Sequence, residues 1–348
     1  MILPQTYAAA LCLMILSMLC WGSWANTYKA SRWRFELYYF DFAVGLLAVA
    51  FLIAITAGSV GFDGFTFFDD MFHASKRQWL YGFVAGVVFN LANMLLMAAI
   101  AVAGMAVAFP VGIGLALIIG VVSNYVIKPA GNPTFIFGGC ALIVAAIIVC
   151  AMAYQFISNV RHEEEAKRGK AKSTRRPGAL KGVIIALVSG VLMGSFYPLI
   201  EKGKQGELGL GPYSIAVLFA IGVFLSTFVF NLFFMNLPVE GEPLEVVDYF
   251  KGPLRGHLMG LLGGGIWILG AVASFVVASA EAVHVGPAVN YAMGQGSTLI
   301  SALWGILLWK EFRGADSKTK ALLGLMLILF ALGLTLVSMA PLSVQQPA

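Results

Sequence analysis

The residues of this chain that could do chemistry are few, mostly uncharged, and set inside long apolar runs. Asn90 and Asn93 stand three apart, which puts them on one side of a helix. Asn290, Gly294, Ser297 and Ser301 follow one another at spacings of four, three and four, a stripe of polar and small residues with Gln295 and Thr298 beside it. Lipid offers such groups no partner, so the stripe serves either as a wall facing a solute or as hydrogen-bond glue between helices. Trp21, Tyr197 and Trp267 lie in the inner parts of three other runs, and their rings can stack on a planar heterocycle or on the C–H face of a sugar. Trp21, like Trp24, is near enough to the end of its run to act instead as an interfacial anchor. As a binding set, Asn90, Asn93, Asn290, Gln295, Ser297 and Ser301 supply hydrogen bonds, and Trp21, Tyr197 and Trp267 supply apolar faces.

Ionisable groups sit at the margins of the runs. Asp41 opens the second run, where it either caps a helix N-terminus or carries a coupling proton. Glu201 and Glu281 stand at the opposite boundary; Lys310 and Glu311 end the ninth run, placed to pair with each other at the interface. A fully ionised solute at so uncharged a centre lacks a partner, at a cost of roughly 2.5 to 3.5 kcal/mol or more, so a neutral polar solute fits better. Pro110 and Pro287 interrupt backbone hydrogen bonding in the fourth and ninth spans, as hinges or as static kinks. Gly112, Gly114 and Gly263 to Gly265 allow either close packing or sliding of helices.

Catalytic sets are missing from the sequence: it has no HExxH, no GxSxG and no close carboxylate pair within a span. Gly169-Lys170 lacks the following Ser or Thr that a nucleotide-binding loop uses to reach magnesium. Cys12, Cys20, Cys140 and Cys150, and the four histidines, show no metal-ligand spacing, so neither a metal nor a cofactor is expected, and the chain does not read as an enzyme.

The elements that must position these residues follow from composition. Of 348 residues, 60% are hydrophobic and 11% are charged, too few charges to cover a soluble surface, which carries roughly 25%. The charges leave uncharged runs at 1–28, 42–62, 78–127, 129–160, 182–200, 208–239, 256–280, 282–309 and 321–348. Each can cross a hydrocarbon core, for which ~20 apolar residues suffice. The run 78–127 is long enough for two crossings and must turn back near Gly104. The expected fold is therefore an all-α polytopic membrane protein with ten spans: 7–27, 39–58, 79–101, 105–127, 134–158, 180–200, 212–235, 256–279, 285–309 and 318–339. Alternation of period two, the mark of a membrane barrel, is missing. The first run lacks a basic leader, since Lys29 is its first cation, and reads as a retained helix.

Charge placement orients the spans. The net charge of +5 is explained by the positive-inside rule and implies no nucleic acid. With the fifth-to-sixth connection cytoplasmic, seventeen of the 22 Lys and Arg fall on that side and five, Lys76, Arg77, Lys128, Lys202 and Lys204, on the other. Both termini are then extracytoplasmic and the chain is multi-pass in the cytoplasmic (plasma) membrane. The charged segment 159–179 is a cytoplasmic linker between a first five-helix repeat, 1–158, and a second, 180–348. The halves echo each other. Ser17-x4-Gly22-Ser23-Trp24 recurs as Ser189-x4-Gly194-Ser195-Phe196, and Gly82-x3-Gly86-x2-Phe89 as Gly260-x3-Gly264-x2-Trp267. Five spans per half is an odd number, so the second half is inverted relative to the first, the plan of many secondary transporters. Nothing in the sequence sets an oligomeric state.

Several stretches carry a family likeness: 15–26, ILSMLCWGSWAN; 36–45, ELYYFDFAVG; 89–104, FNLANMLLMAAIAVAG; 119–125, IGVVSNY; and 301–313, SALWGILLWKEFR. The chain resembles the drug/metabolite transporter superfamily, and within it the ureide permease branch and the neighbouring glucose/ribose-type uptake proteins. The resemblance implies two inverted five-helix bundles around a central cavity, and alternating-access uptake of ureides or nucleobases. It also implies protons as coupling ion, with Asp41 at the family's acidic position in the second helix. Plant ureide permeases carry a Walker-like segment in the central loop, from which this sequence departs. Sugar uptake and drug or metabolite export are rival readings within the superfamily. Outside transport stand a membrane scaffold, which has no need of repeated inverted halves, and a membrane-embedded enzyme.

Overall fold

The computed structural model describes residues 1–61, 63–103, 105–167, 179–238 and 242–343, and among them every regular element is helical. In chain order these are α1 (Tyr7–Ser23), α2 (Ala25–Ser31), α3 (Phe35–Ile55), α4 (Phe67–His73), α5 (Lys76–Ala103), α6 (Met105–Ile127) and α7 (Pro133–Lys167). There follow α8 (Ala179–Gly203), α9 (Pro212–Asn236), α10 (Val246–Phe250), α11 (Leu254–Ser279), α12 (Pro287–Gly294), α13 (Ser297–Leu307) and α14 (Ser317–Met339), with one turn of 3₁₀ helix at Glu281–Val283. Eight of the described helical stretches, with α1 and α2 taken as one, are long and apolar enough to cross a membrane, and α6 adds a shorter apolar helix, Val111–Ile127. Large apolar side chains such as Leu52, Val126, Val229, Leu262 and Ile328 face outward along these helices. Lipid accommodates apolar surface of that extent, which exceeds what soluble proteins expose. The chain is an integral multi-pass helical membrane protein.

The helix ends depart from the sequence-based spans where local propensity outlasts hydropathy. α7 overruns position 158 because Glu163, Glu164, Glu165, Ala166 and Lys167 are all good helix formers. The remainder of the charged linker, 168–178, lies outside the described residues, as does Gly104, where the third span was expected to turn back. α4 and α10 are short connecting helices with no counterpart among the predicted spans. Thr66 accepts a backbone bond from Asp69 at the start of α4, and Glu245 and Asp248 form a reciprocal capping box on α10.

Packing relies on glycine. α3 lies against α9 and α11, α5 against α8 and α9, α6 against α8 and α12, α1 against α11 and α13, and α7 against α14. A Cβ on Gly86 would collide with the Phe219 carbonyl of α9, and one on Gly264 with the Phe42 carbonyl of α3. A Cβ on Gly22 would meet the Ser297 carbonyl at 2.7 Å, and one on Gly194 the Ala116 carbonyl at 2.9 Å. Bare backbones approach to these separations because lipid supplies no hydrophobic drive and close van der Waals contact must hold the helices.

Outside the spans, α4 is tied to the start of α9. Asp70, 3% exposed, accepts the N–H of Gly211, the N-cap residue of α9, at 2.8 Å and so ties α4 to that helix end. Burial holds the Asp70 carboxyl above the usual carboxylate range, against the opposing hydrogen bonds from Ser214 and Gly211. The native state therefore binds this proton more tightly than the unfolded chain, and stability falls as pH rises through the window just above the ordinary Asp value. Asp70→Asn keeps the acceptor and should flatten that slope in thermal melts of the detergent-solubilised protein. Asp70→Ala also loses the hydrogen bond to Gly211, at about 1 kcal/mol.

Candidate functional site

A cavity of ≈ 530 Å³ opens where helices of both halves of the chain converge. One part of its wall is aromatic. Trp21 of α1 stacks on Trp267 of α11 with ring centroids 5.7 Å apart, and its Nε1 donates to the Trp267 carbonyl at 3.2 Å. Phe89 of α5 lies 4.2 Å from the Trp267 ring, and Phe219 of α9 stacks behind it at 5.6 Å. Gly294 makes this possible: a Cβ there would stand 2.5 Å from the Trp21 ring. The result is a fixed indole surface, 5% exposed at Trp267, turned to the cavity.

Amide and hydroxyl groups interrupt the aromatic wall. Asn93 lines the cavity while its Nδ2 donates to the Tyr39 hydroxyl at 3.0 Å. Gln295, Ser297, Thr298 and Ser301 line it from a break in the helix, where α12 ends and α13 begins. Across that break the amides of Gly296, Thr298 and Leu299 reach back three residues, to Met293, Gln295 and Gly296, and the Gln295 amide is shared between Tyr291 and Ala292. This tightened stretch loosens the regular ladder beside the cavity. Ser301 Oγ donates to the Gly22 carbonyl at 3.0 Å, fixing α13 to α1. Pro287 is not the source of the break. It stands at the first turn of α12, after Gly286 at φ +75°, where no intrahelical bond is lost. Pro110 falls in α6, and its side chain lies outside the described residues.

Of the residues singled out by sequence, Trp21, Asn93, Trp267, Gln295, Ser297 and Ser301 are together on this wall. Asn90, Tyr197 and Asn290 stand off it. Asn90 Nδ2 reaches the Val223 carbonyl, Ser226 Oγ at 2.8 Å and Thr227 Oγ1 at 3.1 Å on α9. Asn290 Nδ2 donates to the Tyr197 hydroxyl at 2.6 Å and to Ser274 Oγ at 2.8 Å, knitting α12 to α8 and α11. These three hold helices together around the cavity.

Sequence reasoning did not pick out the charged corner. Glu311 pairs with Lys29 at 2.5 Å, not with its neighbour Lys310, whose left-handed backbone (φ 51°) turns the chain. Tyr154 of α7 donates to the other Glu311 oxygen at 2.7 Å. Lys29, Tyr154 and Glu311 come from three distant span ends, and each alone reads as an interface residue. Asp41 lies apart from the cavity. It is not a cap, because α3 begins at Phe35, with Glu36 in its first turn and Arg34 at the cap position. Its carboxylate is 7% exposed and accepts the Tyr249 hydroxyl at 2.7 Å, while its second oxygen lies 2.7 Å from His257 Nδ1. A second cavity of similar size, bordered by Arg32, Arg34 and Glu36, shares Tyr28 and Met97 with the first.

The chain is similar to known proteins in sequence and in fold. Residues 162–340 match the family model described as ureide permease. The chain is 23% identical to ureide permease 1 of Arabidopsis thaliana, over 95% of this chain and 96% of that protein. It is also 23% identical to ureide permease 4 of the same plant, with the same coverage. A protein of known crystal structure superposes with a TM-score of 0.57 at 16% identity, covering 95% of this chain and 98% of that one, a likeness of fold alone.

Proposed function

Because the chain belongs to the ureide permease family, we propose that it is a secondary active transporter taking up a small neutral polar solute, a ureide or nucleobase first of all, by alternating access. The observation that carries this reading is the cavity itself: an indole and phenyl surface beside amide and hydroxyl groups suits a flat, hydrogen-bonding solute. The relatives are permeases by name, which agrees with transport and not catalysis.

Alternating access asks for two halves that can exchange conformations, and the packing supports ten spans in two inverted repeats, 1–158 and 180–348, joined by the 159–179 linker. Exchanging the halves turns the α5–α8 contact into α11–α1, α5–α9 into α11–α3, and α6–α8 into α13–α1. It returns α3–α9 and α7–α14 to themselves. The glycines repeated in sequence obey the same exchange: Gly86 on α9 answers Gly264 on α3, and Gly194 on α6 answers Gly22 on α13. The surplus of basic residues on one side supports a plasma-membrane orientation with both termini outside and the linker inside. Protons are the coupling ion of this reading, with Asp41 as their site.

Purified protein in proteoliposomes should accumulate labelled allantoin or uracil, with mutual competition and no comparable uptake of glucose. Uptake of glucose alone would move the assignment to the sugar reading. Export-only flux of the labelled solutes would move it to the exporter reading.

A further inference from the structure

Among the described residues, the wall of the main cavity runs from mid-span, at Met193, Trp267 and Tyr291, to one end of the bundle, at Lys29, Tyr154 and Glu311. On the orientation read from the charges, that end is cytoplasmic. Toward the other end the helices close. Tyr197, Ser274 and Asn290, hydrogen-bonded to one another across α8, α11 and α12, are at most 1% exposed. One turn further along α8, Glu201 pairs with Lys204 at 2.6 Å. Lys204 Nζ also donates at 3.2 Å to Oγ of Ser279, the last residue of α11. The register that carries Ser17 onto Ser189 and Trp24 onto Phe196 carries Lys29 onto Glu201. These two equivalent positions differ in their surroundings: the Lys29 side chain, at the cavity mouth, is 44% exposed, and that of Glu201 is 5% exposed.

A buried ion pair gives up hydration that its mutual attraction only about offsets, so it holds a closed end weakly and releases readily when water enters. Taking away one partner leaves a bare buried charge, which is strongly unfavourable. Replacing both by apolar groups of similar volume is neutral or stabilising. Inverted halves that exchange conformations also exchange the surroundings of their equivalent positions. We infer that Glu201 and Lys204 gate the extracytoplasmic end of the solute path. Paired, buried and bound to Ser279, they close that end; when the chain opens outward they part from Ser279 and take up water, as Lys29 does at the cytoplasmic mouth. The inference rests on alternating access between inverted halves and adds which contacts part at the outer end. Lys128, exposed beyond the end of α6, also acts on Glu201 through its charge, so the test changes Lys204 and keeps Lys128.

The test places a reporter cysteine at Met193, on the cavity wall, in full-length protein whose native Cys12, Cys20, Cys140 and Cys150 are replaced by alanine. A membrane-impermeant thiol reagent is added to the outside of oriented vesicles. The parent should label slowly. Lys204→Met leaves Glu201 without its buried partner and should raise the labelling rate by about tenfold or more. Glu201→Leu combined with Lys204→Met removes both charges and should bring the rate back to the parent's or below it, with solute uptake cut by about tenfold because the outer end stays closed. A merely structural pair moves both variants in one direction. The double variant, which leaves no bare charge, decides the matter where the single one fails to fold. Equal labelling of the parent and a folded Lys204→Met, or faster labelling of the double variant than of the parent, overturns the gate assignment. A cysteine at the exposed Gln205, in the loop after α8, should label from outside in every variant. Its labelling from inside alone overturns the orientation and the outer gate with it. The expected labelling pattern in a protein that carries no solute overturns the transport reading and not the gate.

Discussion

Truncation of Trp267 to alanine is expected to weaken solute binding and raise the uptake KM by roughly ten- to a hundredfold, the effect of removing one aromatic ring that stacks on a heterocycle. The indole is positioned for that part by its neighbours. Trp21 stacks against it, Phe89 and Phe219 flank it, and its backbone carbonyl holds the Trp21 N–H. Deleting so buried a ring also costs about 3 to 5 kcal/mol of packing, so lost uptake in the alanine variant must be set beside a melting curve. Trp267→Phe separates the two effects, because a phenyl still stacks and still fills most of the volume. It should keep parental folding and lose only severalfold in KM, whereas Asn90→Leu, away from the wall, should lower stability with little change in KM. Parental KM in a folded Trp267→Ala protein would mean that the solute does not meet this surface.

Hydropathy alone delimited most of the spans, because lipid requires a long uncharged run of each of them. It could not separate the two uses of a buried amide. Asn90 and Asn93 share a helix and a depth; one is consumed by Ser226 and Thr227, and the other faces the cavity from beside Tyr39. The difference depends on what α9 presents opposite Asn90 and what α3 presents opposite Asn93, which no spacing within α5 encodes. The break between α12 and α13 did leave a trace, since Gly294 and Gly296 bracket Gln295 and both are poor helix formers. Pro287, the stronger helix breaker by residue type, stands at the first turn of α12 and not at the break. The Glu311 corner has no local signature: its partners Lys29 and Tyr154 are 282 and 157 positions away, and only the fold brings them together.

Neutralising Asp41 is expected to uncouple transport from the proton gradient without abolishing flux. The carboxylate of α3 is shared between the Tyr249 hydroxyl on α10 and His257 on α11, so a proton gained or lost there changes the charge of a contact between the first half and the second. Gly260 brings α11 so close that a Cβ on it would stand 2.5 Å from Asp41 Cβ, and the charge change is felt directly at the α3–α11 seam. In proteoliposomes, the ratio of uptake with an inward proton gradient to uptake without one should fall to about one in Asp41→Asn, while exchange of solute across the membrane persists. His257→Gln, which keeps a hydrogen bond but carries no proton charge, should behave alike, and Tyr249→Phe should show a smaller loss. A full gradient response in Asp41→Asn, together with its loss in Glu311→Gln, would move the coupling proton from the α3–α11 seam to the cavity wall. Solute and proton would then meet at one carboxylate. If instead the response is lost in Asp41→Asn and kept in Glu311→Gln, the proton acts at a distance from the cavity, through the α3–α11 seam.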